Sequence, residues 1–164
     1  MLRLKSISRA GIAAALQKAN QYRVLNDPAE AESICLDVLE INSKNQKALV
    51  ILLLAITDQF HIHYSEKVKQ ANDVVPRLRD KYTKAYYHGI ILERHAKALL
   101  QSGTPGSRFE AYENFQSAME LFEKAETLRP RGNDNPILRW NACARTIMRY
   151  NLKPREEKVE SMLE

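Results

Sequence analysis

The chain has 164 residues, of which 45% are hydrophobic, 27% are charged and only 5 are glycine. A domain of this length buries roughly 70% of its unfolded surface, and this apolar fraction excludes extensive disorder. The shortage of glycine argues against glycine-rich β-sandwiches, β-barrels and phosphate-binding loops. No apolar run reaches the roughly 20 residues of a membrane helix, so we expect no membrane span and predict a single domain over 1–164.

The net charge of +5 arises at the start of the chain. Five basic residues precede Asp27, the first acidic residue, and the remainder carries 20 basic and 20 acidic side chains, because the totals are 25 and 20. The first three of them form a basic N-terminal patch, Arg3, Lys5 and Arg9. This patch suits an acidic partner, nucleic acid or an anionic membrane, or it simply solubilises a first helix.

The first residues also allow two interpretations of targeting. A basic, serine-containing and acid-free start is typical of an organelle transit peptide, whereas the short, alanine-rich apolar stretch is weak for a secretory signal. Apolar residues at helical spacing continue without a break into the following segment. This continuity favours a retained helix over 6–25.

Helical periodicity recurs along the chain and strand alternation is nearly absent, so we predict an all-α fold. Asp27 and Pro28 suit the cap and first position of a second helix that ends at the polar residues 42–45. A third helix over 46–60 contains the run ALVILLLAI, which is apolar on every side and too short to cross a bilayer. We therefore expect this helix to be buried at the centre of the protein.

Five more helices are predicted after residue 64. The fourth begins near Ser65, and Pro76 should kink or split it because proline removes a backbone donor. The fifth covers 82–101, and a loop at 101–107 precedes a sixth helix that a Ser107–Glu110 capping box would begin. A seventh helix is capped by Asn135, and a charged helix ends near residue 163. The sixth helix carries a core stripe of Phe109, Tyr112, Phe115, Ala118, Phe122, Ala125 and Leu128.

Adjacent helices joined by short turns suggest stacked helical hairpins, for which a repeat period near 34 residues is expected. In the third hairpin, Gly89 provides a position of close approach, and the partner helix carries Ala118, Phe122, Ala125 and Pro130. This spacing resembles the second helix of a tetratricopeptide repeat. The first hairpin matches at Ala19, Tyr22, Ala31, Cys35 and Val38, whereas the second is degenerate, with Ala71 and an out-of-place Pro76 in its second helix.

The resemblance to the tetratricopeptide-repeat family implies a short right-handed solenoid of about three repeats plus terminal helices. The hairpins would cover 6–44, 45–82 and 83–130, with an inserted loop at 101–107 and C-terminal helices over 135–163. In this family the first helices line a concave groove that binds a peptide or helix of another protein. When the family's groove positions are transferred to the first helices of this sequence, the groove candidates are Leu16, Asn20, Arg23, Lys47, Val50, Leu54, Asp58, Tyr86, Ile90, Glu93 and Arg94.

The candidates depart from the carboxylate clamp that some family members use. Asn20 matches one clamp asparagine, but Leu16 replaces the lysine one turn earlier and Ile51 replaces the second asparagine. A groove with Val50, Leu54 and the other apolar candidates would instead prefer an apolar helix or extended segment. Alternatively, these side chains simply pack against neighbouring helices.

Among the sequence patterns, only the histidines suggest metal binding or acid–base catalysis. His61 and His63 could share a metal only in a turn, with His88 or His95 as further ligands, so structural or surface roles are favoured and no metal is expected. His88 and His95 share a helix face near Glu93, but no nucleophile, phosphate loop or oxyanion site accompanies them. We therefore expect no catalytic residues, no cofactor and no enzymatic activity.

Two further features bear on partners. Tyrosines interleave with a basic patch over 77–84, a combination that can grip single-stranded nucleic acid, although Asp80 interrupts it. Trp140, the only tryptophan, is either a core residue or an interface anchor.

Cys35 and Cys143 share no motif and lie in apolar helical stretches, which indicates a reducing compartment such as the cytoplasm.

The leading functional hypothesis is a non-enzymatic interaction scaffold, an adaptor or accessory subunit that binds a segment of another protein. The alternative is a nucleic-acid-associated protein that uses the N-terminal patch and the 77–84 patch. Self-association through an open solenoid end is a third possibility.

Overall fold

A computed structural model describes residues 1–62 and 64–156, which fold into seven α-helices without a β-strand. Two short 3-10 turns, Arg9–Gly11 and Val75–Arg77, flank the first and fourth helices. The all-α prediction is thereby confirmed for the described residues. The helices are α1 (Ile12–Val24), α2 (Pro28–Ile41), α3 (Gln46–Thr57), α4 (Tyr64–Val74), α5 (Lys81–Ser102), α6 (Ser107–Leu128) and α7 (Asn135–Tyr150).

Three helices begin at residues whose side chains cap the first turn. The carboxylate of Asp27 accepts from the Glu30 amide at 3.4 Å, as the sequence predicts, and Pro28 follows it. The amide oxygen of Asn45 accepts from Ala48 N at 2.9 Å, and Asp80 accepts from Thr83 N at 2.8 Å. Each bond satisfies an amide that has no partner within the helix.

The cap of α5 gives a prediction with a matched control in the chain. Asp80 accepts from both the amide and the hydroxyl of Thr83, and these bonds hold the pKa of its carboxyl below the ordinary value of 3.8. Asp134 occupies the same position before α7 without a side-chain cap bond. Asp80→Ala should therefore cost about 1 kcal/mol of unfolding free energy in denaturant titrations, and Asp134→Ala much less.

The pH dependence of this cap has a definite sign. Because the folded-state pKa of Asp80 is lowered, its stabilisation is present above the unfolded pKa and is lost as the pH falls through the folded value. The stability difference between Asp80→Asn and the native chain should shrink below about pH 4. A difference that stays constant on acidification would contradict the assigned bonds.

Five expected features are wrong. Asn135 is the first residue of α7 rather than its cap, since Asp134 occupies the cap position. The capping box is absent, because Gly106 precedes α6 at φ 80° without a side-chain cap bond and Ser107 is buried in the first turn. Residues 1–8 lie outside any helix, so the first helix does not begin at residue 6. Phe109 and Leu128 are exposed rather than on the core stripe. Residues 153–156 are not helical, and the rest of the predicted last helix lies outside the described residues.

Neighbouring helices pack in sequence order: α1 on α2, α2 on α3, α3 on α4, α5 on α6 and α6 on α7. The odd-numbered helices α1, α3 and α5 also contact one another in series. Pro76 ends the fourth helix as expected, since Val75–Arg77 continues only as a 3-10 turn. Helix α3, which contains the apolar run, is the most buried helix, because eight of its twelve residues are buried.

Two clusters of buried side chains form the core. The first joins α1 to α4 around Leu49, Leu53 and Val38, and the second joins α5 to α7 around Phe115 and Phe122. Leu54 and Tyr87 pack against both clusters and connect them. The α5–α6 contact depends on Gly89, because a Cβ atom there would lie 2.6 Å from the Phe122 ring.

Candidate functional site

A groove of about 520 Å³ runs between α1, α3, α5 and the start of α7. Helix α3 supplies its floor with Val50, Ile51 and Leu54, and Asn20 on α1 and Lys47 on α3 stand at its edge. Neither α2, α4 nor α6 contributes a lining residue. The groove is therefore a property of the odd-numbered helices.

Three tyrosines of α5 form one wall of this groove, which we call the tyrosine groove. The rings of Tyr82 and Tyr86 stack at 5.7 Å between centroids, and Tyr87 meets Tyr86 edge-on at 5.0 Å. Asn133 donates to the Tyr82 hydroxyl at 2.8 Å, which fixes the turn before α7 against α5. Burial raises the pKa of Tyr82 and Tyr87, so their hydroxyls remain protonated hydrogen-bond donors at neutral pH.

Amide and hydroxyl side chains accompany the tyrosines. Asn20, Asn133 and Asn135 line the tyrosine groove together with Gln46 and Thr83, whereas Lys47 is the only charged lining residue in the part of the chain that the structure describes. Asn133, Gln46 and Thr83 already bond within the protein, to Tyr82, to Arg79 and to Asp80. Asn20 and Asn135 supply amides that can donate to and accept from the backbone of an extended peptide. The apolar floor, the aromatic wall and these amides together suit a peptide segment.

An ion-pair network ties α1, α3 and α5 together. Asp58 follows α3, accepts from Arg23 Nε of α1 at 2.7 Å and pairs through its other oxygen with Arg94 of α5. The same guanidinium donates to Thr57 Oγ1 at 2.6 Å and reaches the Leu54 carbonyl at 3.4 Å. A cation at this end of α3 also complements the helix dipole.

A second cluster surrounds a fully buried carboxylate on α5. Glu93 has no exposed surface, and its Oε1 lies 2.7 Å from Lys97 Nζ and 3.5 Å from Arg139 Nη1 of α7. Its Oε2 has no hydrogen-bond partner among the described residues. Arg139 therefore links α7 to α5 beside the tyrosine groove.

The arginines of the two clusters lie close enough to influence one another. Burial lowers the pKa of Arg94, and the positive charges of Arg23 and Arg139 lower it further, although Asp58 opposes them. Burial also lowers the pKa of Arg139, but Glu93 and the Tyr86 hydroxyl outweigh this and raise it. Four cations thus surround two carboxylates, Asp58 and Glu93, and leave a local excess of positive charge.

The predicted groove residues divide into three groups. Asn20, Lys47, Val50, Leu54 and Tyr86 line the tyrosine groove together. Arg23, Asp58 and Arg94 meet in the ion-pair network rather than standing free. Three others are buried and present no groove surface, namely Leu16, Ile90 and Glu93.

Sequence reasoning missed several of the residues that complete the site. Asn133 and Asn135 line the tyrosine groove, and Arg139 joins the Glu93 cluster. Tyr82 and Tyr87 were singled out only with the 77–84 patch and not as groove residues, yet they line the groove. The spacing of four between Tyr82 and Tyr86 signals a shared helix face. No local signal predicts Arg139, because 46 positions separate it from Glu93.

The remaining candidates lie elsewhere. The N-terminal patch residues Arg3, Lys5 and Arg9 are exposed. Lys81 and Lys84 are also exposed, and the tyrosines Tyr82, Tyr86 and Tyr87 beside them line the tyrosine groove. Trp140 is half-buried, packs on the second core cluster and donates to Glu123 Oε1 at 3.0 Å.

Histidines and cysteines form no reactive cluster among residues 1–62 and 64–156. No group of three metal-ligating side chains occurs in this part of the chain, and His63 lies outside it. His95 packs against the Tyr64 ring at 5.1 Å, and burial lowers its pKa and that of His88. Cys35 and Cys143 are free, and burial raises the pKa of each to about 12.

Comparison with protein-family models, curated proteins and solved structures yields no match to this chain. Within the described ranges, no helix combines the length and apolarity needed to cross a membrane.

Proposed function

We propose that this protein is a non-enzymatic interaction scaffold that binds an extended segment of a partner protein in the tyrosine groove. The observation that carries the proposal is the groove itself, in which an apolar floor, an aromatic wall and amide side chains come from successive odd-numbered helices. Tyrosine-rich, partly apolar surfaces are well suited to hot spots of protein binding. In this proposal, the protein acts toward its partner as an adaptor or accessory subunit.

The proposed architecture is a short tetratricopeptide-like solenoid with α1, α3, α5 and α7 on its concave side. The serial contacts of α1, α3 and α5 support it, as does the close approach of α5 and α6 at Gly89. The Arg23–Asp58–Arg94 network also supports it, because it holds three first helices at fixed spacing. The two free, buried cysteines agree with action in a reducing compartment such as the cytoplasm.

Site-specific photo-cross-linking in the native host tests this proposal. A photoreactive residue replaces Val50 on the groove floor or, as the control, exposed Ser117 on α6. We expect a discrete cross-linked partner from position 50 and none from position 117. The added change Lys47→Glu should remove that product, because Lys47 is the charged lining residue. Equal products from both positions, or a product from position 117 alone, would refute the groove as the binding surface.

A further inference from the structure

Charge is segregated between the odd-numbered and even-numbered helices. The odd-numbered helices carry ten basic residues, two on α1, one on α3, four on α5 and three on α7, and a single acidic one, Glu93. The even-numbered helices carry four basic residues and eleven acidic ones, of which α2 has four, α4 two and α6 five. The helices that line the tyrosine groove are therefore basic, and the helices behind them are acidic or neutral.

The groove surface shows the same bias. None of the described residues that line it is acidic, and Lys47 is exposed at its edge. Arg94, which reaches the carbonyl of Leu54 on the groove floor, pairs with Asp58, and Arg139 pairs with Glu93. The side chains of these arginines remain 23% and 38% exposed. These guanidiniums offer further donors to an incoming carboxylate, since each has five N–H groups.

We infer that the partner segment is acidic: an extended peptide that places apolar or aromatic side chains on the groove floor and carboxylates beside Lys47, Arg94 and Arg139. This inference rests on the proposed function and specifies its ligand. Complementary charge speeds association and fixes the register of the peptide. The acidic α2 and α6 repel the same segment, so that it is directed to one face of the protein.

A peptide fits this charge pattern better than nucleic acid does. Four of the ten basic residues on the odd-numbered helices already share carboxylates, namely Arg23 and Arg94 with Asp58, and Lys97 and Arg139 with Glu93. A continuous polyanion needs many unshared cations along its length, and it would meet the eleven acidic residues of the even-numbered helices beyond the groove. A short acidic segment needs only a few contacts.

Selection from a display library of short random peptides tests the inference. Peptides retained by the native chain at low salt should carry an excess of Asp and Glu over Lys and Arg, together with aromatic or aliphatic residues. Lys47→Glu should weaken the binding of the retained acidic peptides about tenfold, a change of about 1.4 kcal/mol. Lys124→Glu, at an exposed position of α6, is the matched control and should change their affinity little.

The possible outcomes distinguish a failure of the acidic-ligand inference from a failure of the groove as the binding surface. Retained peptides that are neutral or basic, but lose affinity in Val50→Glu, would overturn the acidic ligand and leave the groove as the binding surface. Retained peptides whose affinity is unchanged by Val50→Glu would overturn both, as would the absence of any enrichment. Tighter, salt-sensitive binding of a thymidine oligonucleotide would replace the peptide with nucleic acid.

Discussion

Gly89→Val should cost about 3 kcal/mol of unfolding free energy, because even a single Cβ at this position would lie 2.6 Å from Cε1 and 2.9 Å from Cδ1 of Phe122. The Phe122 ring is fully buried and has little room to move. Glycine weakens a helix by about 1 kcal/mol relative to alanine, so Gly89→Ala should cost less than the valine variant. Urea unfolding followed by circular dichroism measures each difference.

A double-mutant cycle with Phe122→Ala tests the assigned cause. Phe122→Ala alone should cost about 3–5 kcal/mol, but in combination with Gly89→Val the added side chain fills part of the vacated space. The combined cost should fall short of the sum by at least about 1 kcal/mol. Additive costs would show that Gly89 is needed for some other reason than the approach of Phe122.

Asp58→Asn should cost about 2 kcal/mol of unfolding free energy. The carboxylate pairs with both Arg23 and Arg94, and an asparagine leaves those two arginines with no shared anion. Removing one partner of a fully buried ion pair costs about 3–5 kcal/mol, and the partial exposure of these side chains reduces that figure. The lost network should also loosen α1, α3 and α5 relative to one another.

Asp73→Asn is the matched control for this change. Asp73 pairs with Lys69 at 3.9 Å on the surface of α4, where both side chains are mostly exposed. Exposed pairs contribute about 0.5 kcal/mol or less. If both asparagine variants unfold within about 0.5 kcal/mol of each other, the Arg23–Asp58–Arg94 network does not hold the odd-numbered helices together.

Local features of the fold could be predicted well from the sequence because they depend on neighbouring residues. The cap at Asp27, the break at Pro76 and the buried run of α3 each follow from chemistry within one turn or from periodicity. The capping box of α6 was predicted wrongly because Ser107 suggests a capping side chain, whereas Gly106 precedes the helix with a left-handed φ.

The site was harder to predict because its contacts cross the chain. Asn20, Lys47 and Tyr86 follow from the repeat resemblance, but the burial of Glu93 depends on Lys97 and on Arg139 of a distant helix. The segregation of charge between the odd-numbered and even-numbered helices was also not predicted, because it involves helices that are not adjacent in the sequence. Dividing the chain at Asp27 balances the remaining charges, whereas dividing it by alternate helices separates them.

The most direct test of the tyrosine groove as the binding surface is a titration of the isotope-labelled chain with a retained acidic peptide, followed by amide chemical shifts. The largest shifts should occur at Asn20, Lys47, Val50 and Tyr86, which line the groove. Residues of α2 and α6 that face away from it should change little. Shifts that are largest on α2 or α6 would contradict the account.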